Sequence, residues 1–197
     1  MRLILVRHGE SECNAKGIVS TNDTPLSDMG RAEVKKTGIY LKNYGIDKIY
    51  ASDLPRAAET AQIIADKCDI SEITYVKALR EADSGDHGGL TQEEANLRFH
   101  EYLKASKDHL ASHPAGGESV MDHRDRVMNF VYRIISEEKG TVLLVAHGGT
   151  NKVILGILKG TSLSEIHKGY HANCSVSILD IDEEVKVILE ADTSHLD

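Results

Sequence analysis

Two histidine-glycine pairs, His8-Gly9 and His147-Gly148, each follow an uninterrupted apolar run, residues 3–6 and 142–146. Runs without period-two alternation read as strands buried on both faces, which implies a parallel sheet covered by helices. In open α/β sheets ligands bind just beyond the carboxyl ends of the strands, so both imidazoles are expected at one site. Arg7 adjoins His8, and Arg56 falls in the first turn of an expected helix, where the helix dipole disfavours a cation unless an anion binds there. Two guanidinium forks suit the oxygens of a phosphate group. Gly148-Gly149-Thr150 begins a further expected helix, whose free N–H groups should hold the same anion. Two histidines, two arginines and a helix N-terminus at one sheet edge point to phosphoryl chemistry.

Other phosphate and metal chemistries leave no trace in the chain. No cysteine is followed by arginine at the sixth position, because residues 19, 74 and 180 are valine, threonine and aspartate. A glycine-rich nucleotide loop ending in Gly-Lys-Ser/Thr is likewise missing. Asp180-Ile181-Asp182 sits at a late turn and reads as solvated turn charge. His167 and His171 have helical i, i+4 spacing, but Gly169 interrupts them and no third ligand is evident, so no metal site is expected.

The positioning elements follow from the pattern. The 197 residues, 41% hydrophobic and 27% charged, suit one globular domain. A net charge of −8 argues against a nucleic-acid-binding face, so an anionic ligand needs a locally focused positive pocket. Three widely spaced cysteines, Cys13, Cys68 and Cys174, suggest neither a disulfide framework nor a zinc site, and fit a reducing cytoplasm. The N-terminal apolar run is too short for a signal sequence or a membrane span, so neither export nor a membrane partner is expected. Helices are predicted over 27–43, opened by Ser27, and over 53–67, capped by Ser52 with Pro55 in the first turn. A short strand over 46–51 separates them. Residues 79–117 read as a glycine-rich, lid-like insertion over the active site, turning helical at a Thr91/Glu94 capping box. A helix from Ser119, with Asp122 completing its own box, runs to about residue 137, and a hairpin over 175–181 and 185–189 closes the chain.

In order along the chain stand Arg7-His8-Gly9-Glu10-Ser11 with Asn14, Asp23-Thr24-Pro25-Leu26-Ser27 with Gly30, and Ser52-Asp53-Leu54 with Arg56, Thr60 and Ala61. They are followed by Leu79-Arg80-Glu81 with Gly85, Gly117-Glu118-Ser119, and Ala146-His147-Gly148-Gly149. As an ordered set these residues resemble the histidine phosphatase superfamily, the phosphoglycerate mutase-like proteins, across nearly the whole chain. The resemblance implies a three-layer α/β/α sandwich with a mostly parallel central sheet. It implies His8 as nucleophile, forming a phosphohistidine, Glu81 as proton donor, and Arg7, Arg56 and His147 as ligands of the phosphoryl oxygens. Asn14, Ser20, Thr21 and Gly148 are the further phosphate- and substrate-binding candidates. No metal or other cofactor is implied. An attacking imidazole must be neutral with its other nitrogen held, so a partner for His8 is expected, though spacing does not name it.

The chain departs from many phosphatases of that family after the donor, reading Gly85-Asp86-His87-Gly88-Gly89 in place of Gly-x-Trp-Glu-Gly. His87 is either a substrate contact or, the favoured reading, an exposed loop residue, and Cys13, beside the site, is either an oxidisable thiol or, more commonly, a small buried apolar side chain. The sequence thus predicts a cytoplasmic, metal-independent phosphomonoesterase acting on a small phosphorylated metabolite. Two readings stay open beside it. One is phosphoglycerate mutase, disfavoured here because cofactor-dependent mutases of the family typically carry inserted material for which this chain lacks obvious room. The other is a non-catalytic module that binds phosphorylated ligands, disfavoured because binding needs no nucleophile or proton donor. The physiological substrate and the oligomeric state are open, a homodimer being one option.

Overall fold

The computed structural model describes residues 1–105, 113–166 and 169–197. Its centre is a six-stranded sheet built from β1 (Arg2–Arg7), β2 (Lys48–Ala51), β3 (Ile73–Tyr75), β4 (Thr141–Ala146), β5 (Val176–Ile181) and β6 (Val185–Asp192). The spatial order is β3-β2-β4-β1-β5-β6. β1, β2, β3 and β4 are mutually parallel, whereas β5 runs antiparallel to β1 and carries β6 as a hairpin on the outer edge. The mostly parallel sandwich implied by the family resemblance is therefore the architecture found. No helix among the described residues is long and apolar enough to cross a membrane.

Helices cover both faces: α1 (Glu12–Ala15), α2 (Asp28–Leu41), α3 (Pro55–Cys68), α4 (Gln92–Ala105), α5 (Val120–Glu137), α6 (Gly148–Leu158) and α7 (Leu163–Ile166). Alternate residues of the central strands serve opposite layers. Leu3, Leu5, Val142 and Leu144 pack with Val127, Phe130, Val131 and Ile134 of α5 and with Val153 and Ile154 of α6. Ile4, Val6, Leu143 and Val145 pack with Val34 and Leu41 of α2 and with Ala57, Ala61 and Ile64 of α3. Both pleat faces are buried, which is why these strands show no hydropathic alternation. Full burial of each such side chain contributes about 1.5–3 kcal/mol, so the two central strands are fixed firmly beneath whatever they carry at their ends.

Local chemistry sets the element boundaries, with some departures from expectation. The Ser27 hydroxyl accepts the Gly30 N–H (3.0 Å) and starts α2, which ends at Leu41 rather than residue 43. Thr91 and Glu94 form the expected reciprocal box, Thr91 N–H to Glu94 Oε2 (2.9 Å) and Glu94 N–H to Thr91 Oγ1 (3.2 Å). Ser119 Oγ accepts the Asp122 N–H (3.1 Å), but its hydroxyl donates to the Asp122 carboxylate (2.6 Å), so only half of that box is made. Ser52 does not cap α3. The capping position is Leu54, without a side-chain bond, and Ser52 is spent on the site described below. β3 was not anticipated, because Ile73-Thr74-Tyr75 is a short, half-exposed edge strand with no apolar run to announce it. Asp180 is not solvated turn charge: it lies opposite Arg2 in the β1/β5 ladder and accepts its guanidinium at 2.8 and 2.9 Å.

Candidate active site

β1 and β4 are neighbours in register, Arg7 opposite Ala146, so the chain leaves both strands at one level of the sheet edge. His8 and His147 are thereby set side by side, ring centroids 5.0 Å apart and inclined at 62°. Both are buried, His8 at 3% and His147 at 0% exposure. Gly9 follows because α2 starts directly against the strand exit: a Cβ there would meet Val34 Cγ2 at 2.6 Å and the Gly30 carbonyl oxygen at 2.9 Å.

The partner that spacing left unnamed is the adjacent carbonyl. His8 Nδ1–H donates to Gly9 O at 2.7 Å, which leaves the Nε2 lone pair free. Asn173, which the sequence reading missed, holds this turn by donating from Nδ2 to the carbonyls of His8 and Gly9, each at 3.1 Å. Burial, reinforced by the Arg56 and Arg7 charges, pushes the His8 pKa well below its ordinary value against the opposing Gly9 hydrogen bond. The imidazole is therefore neutral, the state a nucleophile needs. Burial also lowers the His147 pKa strongly, followed by the charges of His8, Arg56 and Arg7. Ser52 Oγ lies 2.9 Å from His147 Nε2 and accepts the Leu54 N–H at 3.3 Å. With the hydroxyl proton on Nε2, the ring proton stays on Nδ1. Ser52 was visible in the Ser-Asp-Leu motif, but its helix-capping chemistry disguised this role.

Arg7 and Arg56 are anchored by backbone carbonyls at one prong each. Arg7 Nη1 donates to His171 O at 2.6 Å, and Arg56 Nη1 donates to Thr21 O at 2.9 Å. Their Nε atoms, together with His147 Nδ1, are buried with no hydrogen-bond partner among the described residues. Burial first, and then the neighbouring Arg7, lowers the Arg56 pKa, while Glu81 and Cys13 oppose it. Buried donors and a buried cation in this state suit a multiply charged oxyanion, which would satisfy the donors and compensate the charge.

The helix N-terminus is used differently from the expectation. Glu81 occupies it: Gly149 N–H donates to Glu81 Oε2 at 2.8 Å and Thr150 N–H to Oε1 at 3.0 Å. Two of the amides expected to bind the anion are thus taken by a carboxylate, which the positive end of the helix also favours. Gly149 permits this docking, since a Cβ there would stand 2.5 Å from Glu81 Oε1. The loop carrying Glu81 is clamped by Arg126, whose guanidinium donates to the carbonyls of Ala78 (2.9 Å) and Glu81 (3.3 Å) and pairs with Glu118. Arg80 is held by both oxygens of Asp53, at 2.6 and 2.7 Å. His123, another residue missed from sequence, is buried behind Thr150, with Nε2 3.0 Å from its hydroxyl oxygen.

Arg7, His8, Arg56, Glu81, His123 and His147 line a cavity of about 460 Å³. Of the binding candidates, Asn14 and Ser20 line it, while Gly148 packs beside the Arg7 guanidinium, where a Cβ would meet Nε at 3.4 Å. Thr21 contributes its carbonyl to Arg56, but its side chain turns to Asp23 (2.6 Å) and Thr24 (2.9 Å). His87 is not an exposed loop residue: it is 5% exposed and lines the cavity, because a short helical turn over Gly85–His87 folds it inward. Cys13 is half-buried, with Sγ 3.3 Å from Thr24 Oγ1. His171 serves Arg7 through its carbonyl, and His167 lies outside the described residues, as do residues 106–112 of the expected insertion.

Comparison with known proteins agrees with this arrangement. The family model described as histidine phosphatase superfamily (branch 1) matches residues 3–193. The chain is 33% identical over 200 residues to phosphoglycerate mutase-like protein 4 of Arabidopsis thaliana, covering 99% of this chain and 86% of that one. It is 35% identical over 173 residues to the 2,3-bisphosphoglycerate-dependent phosphoglycerate mutase of Bartonella bacilliformis, covering 83% and 84%. Among solved structures, Bacillus stearothermophilus YhfR superposes with a TM-score of 0.87 at 30% identity, covering 100% and 99% of the two chains. The vanadate complex of mycobacterial glucosyl-3-phosphoglycerate phosphatase does so with 0.83 at 26%, covering 95% and 97%. Paired buried histidines at adjacent strand ends, two half-anchored arginines and a family match spanning both place this chain in the histidine phosphatase superfamily, branch 1.

Proposed function

We propose that the protein is a phosphomonoesterase that hydrolyses a small phosphorylated metabolite, without a metal, through a phosphohistidine on His8. Arg7, Arg56 and His147 Nδ1 hold the phosphoryl oxygens and offset the charge that builds on them, the main source of catalysis in phosphoryl transfer. His8 Nε2 attacks phosphorus as the bond to the leaving oxygen breaks, and Glu81 relays to that oxygen the proton brought in by a monoanionic phosphate ester. Water then attacks the phosphohistidine, Glu81 takes a proton from it, the N–P bond breaks and inorganic phosphate leaves. Asn14 and Ser20 contact the bound ester near the phosphoryl group.

The observation that carries hydrolysis of a monoester is the charge along the cavity. Arg7 and Arg56, beside His8, are the only arginine or lysine side chains among its described lining residues. Beyond Glu81 stand Asp83 and Glu118, joined by the Glu118 N–H to Asp83 O at 2.9 Å. A neighbouring cavity on that side is lined by Lys77, Arg80 and Arg126; the two arginines are committed to Asp53 and Glu118, and the exposed Lys77 is not part of the lining of the cavity that holds His8. One phosphoryl group has its counter-charges, and a second anionic group would face carboxylates.

A 2,3-bisphosphoglycerate-dependent mutase is the second reading, favoured by the names of curated relatives such as the Bartonella enzyme. Length does not separate the two readings, contrary to the expectation above. The match covers 83% of this chain and 84% of that mutase, so the two are nearly equal in size.

The test is phosphate release from a panel of phosphomonoesters in excess EDTA, for wild type and His8→Ala, with 3-phosphoglycerate included with and without 2,3-bisphosphoglycerate. Release that depends on His8, with an acid-labile phosphoenzyme, is expected. Interconversion of phosphoglycerates without release makes the protein a mutase, sensitivity to EDTA overturns the metal-independent mechanism, and binding without turnover makes it a phospho-ligand module.

A further inference from the structure

One face of α4 forms a wall of the cavity. Gln92, Ala95, Asn96 and Phe99 recur at i, i+3, i+4 and i+7 and all line it. The face offers an aromatic ring and a methyl group between two carboxamides. Its start is sewn to the loop after α1 by three backbone hydrogen bonds: Val19 N–H to Leu90 O (2.8 Å), Gly89 N–H to Val19 O (3.0 Å) and Gln92 N–H to Gly17 O (3.2 Å). Ile18 and Val19 of that loop add further apolar lining.

Asp83, Ser84 and Glu118 form the remaining polar border. Glu118 receives the Arg126 guanidinium at both oxygens, 2.8 and 2.6 Å. Burial alone would push its carboxyl up, but the Arg126 hydrogen bonds and charge outweigh this and hold it below the ordinary value. Carboxylates and carboxamide oxygens accept from hydroxyls, and an apolar ring accepts a C–H face. A carboxylate or second phosphate at the same place would meet the Asp83 carboxylate, Glu118 being paired with Arg126, with no uncommitted lysine or arginine among the described lining residues of this cavity, Lys77 lining only the neighbouring one.

We propose, resting on the hydrolase reading above, that the leaving group taken by this cavity is neutral and hydroxyl-bearing with an apolar face, the chemistry of a singly phosphorylated sugar or polyol. The phosphoryl group sits among Arg7, Arg56 and His147, the carbon chain lies along Phe99 and Val19, and its hydroxyls donate toward Asp83 and Glu118. Specificity arises from the Asp83 carboxylate, which rejects a second anion, and from acceptors left unpaired by an analogue lacking hydroxyls.

The experiment compares kcat/KM within two matched pairs, glycerol 3-phosphate against 3-phosphoglycerate and sorbitol 6-phosphate against 6-phosphogluconate. Each pair exchanges a terminal CH2OH for a carboxylate. p-Nitrophenyl phosphate reports phosphatase activity as such, and Asp83→Asn is run beside wild type. The neutral member should be favoured by about tenfold or more in both pairs, and Asp83→Asn should narrow the ratio by about threefold. Equal or faster turnover of the carboxylate members, or an unchanged ratio in Asp83→Asn, overturns the proposal. So does His8-dependent hydrolysis of p-nitrophenyl phosphate with none of the four polyol esters turned over, and in that case the phosphatase reading stands. If nothing is hydrolysed, the phosphatase reading itself fails and the substrate class falls with it.

Discussion

The two ends of the cavity are built on different principles. At the phosphoryl end His8, His147 and Arg56 are all less than 5% exposed, and each is tied to the sheet edge or an adjoining carbonyl. Across from it, α4 offers Gln92 and Asn96 from an exposed surface and reaches the rest of the molecule through a few backbone bonds to the loop at 17–19. Fixed donors in a water-poor setting stabilise developing charge because they need no reorganisation as the reaction proceeds. Recognition of the leaving group tolerates looser support, which is why binding residues can sit on peripheral segments carried by a rigid scaffold. The difference teaches that chemistry and specificity here have separate structural costs.

Substitutions should expose that asymmetry, most strongly at the buried end. Arg56→Ala removes a half-anchored guanidinium and should lower kcat/KM by about 10²–10³, the usual effect of deleting one fixed charge-stabilising donor. A loss under tenfold in steady-state assays would break the comparison. Gly149→Ala forces a methyl into the space of Glu81 Oε1 and should displace the carboxylate from the α6 amides. It should cost alkyl phosphates about 10–100-fold and aryl phosphates less, because their better leaving group needs less protonation. Glu81→Gln should repeat that pattern, and equal losses on both esters would detach Glu81 from proton transfer.

Stability should fall in acid because burial keeps His8 and His147 uncharged. His8 and His147 have folded-state pKa values well below 6.5, so beneath that pH the unfolded chain binds protons that the folded chain refuses. Stability is full above the unfolded value and is lost progressively as pH falls from about 6.5 toward the depressed folded values. Between pH 7.5 and 5.5 the loss should be about 1 kcal/mol for each histidine. Thermal melts of wild type and of His8→Gln check this, since the variant should lose less stability over that interval. At the looser end, Phe99→Ala should raise KM about 3–10-fold with a smaller change in kcat, the mark of lost uniform binding. A kcat effect as large as that of Arg56→Ala would show α4 to be part of the chemistry.

Much of the phosphoryl end was legible because motif residues coincide with strand ends. The runs at 3–6 and 142–146 announced buried parallel strands, and the histidines that follow them had to share an edge once β1 and β4 paired. The start of α2 was legible from Ser27, a local signal, as was the start of α4 from Thr91 and Glu94. Asn173, His123 and Ser52 were not, since each acts through a contact with a distant part of the chain, and Ser52 carries a residue type that also caps helices. His87 was misplaced because a loop composition says nothing of the turn that folds the ring inward.

By itself, then, the amino-acid order determined the α/β class, the family and the identity of the histidines, arginines and glutamate at the site, because these depend on short-range patterning and motif spacing. Only the tertiary structure decided which nitrogen of His8 is held, that Glu81 rather than a bound anion takes the Gly149 and Thr150 amides, and that the cavity beyond it is acidic and apolar. Those outcomes depend on hydrogen-bond directions and on side chains from segments far apart in sequence, which come together only when the sheet and its helices pack.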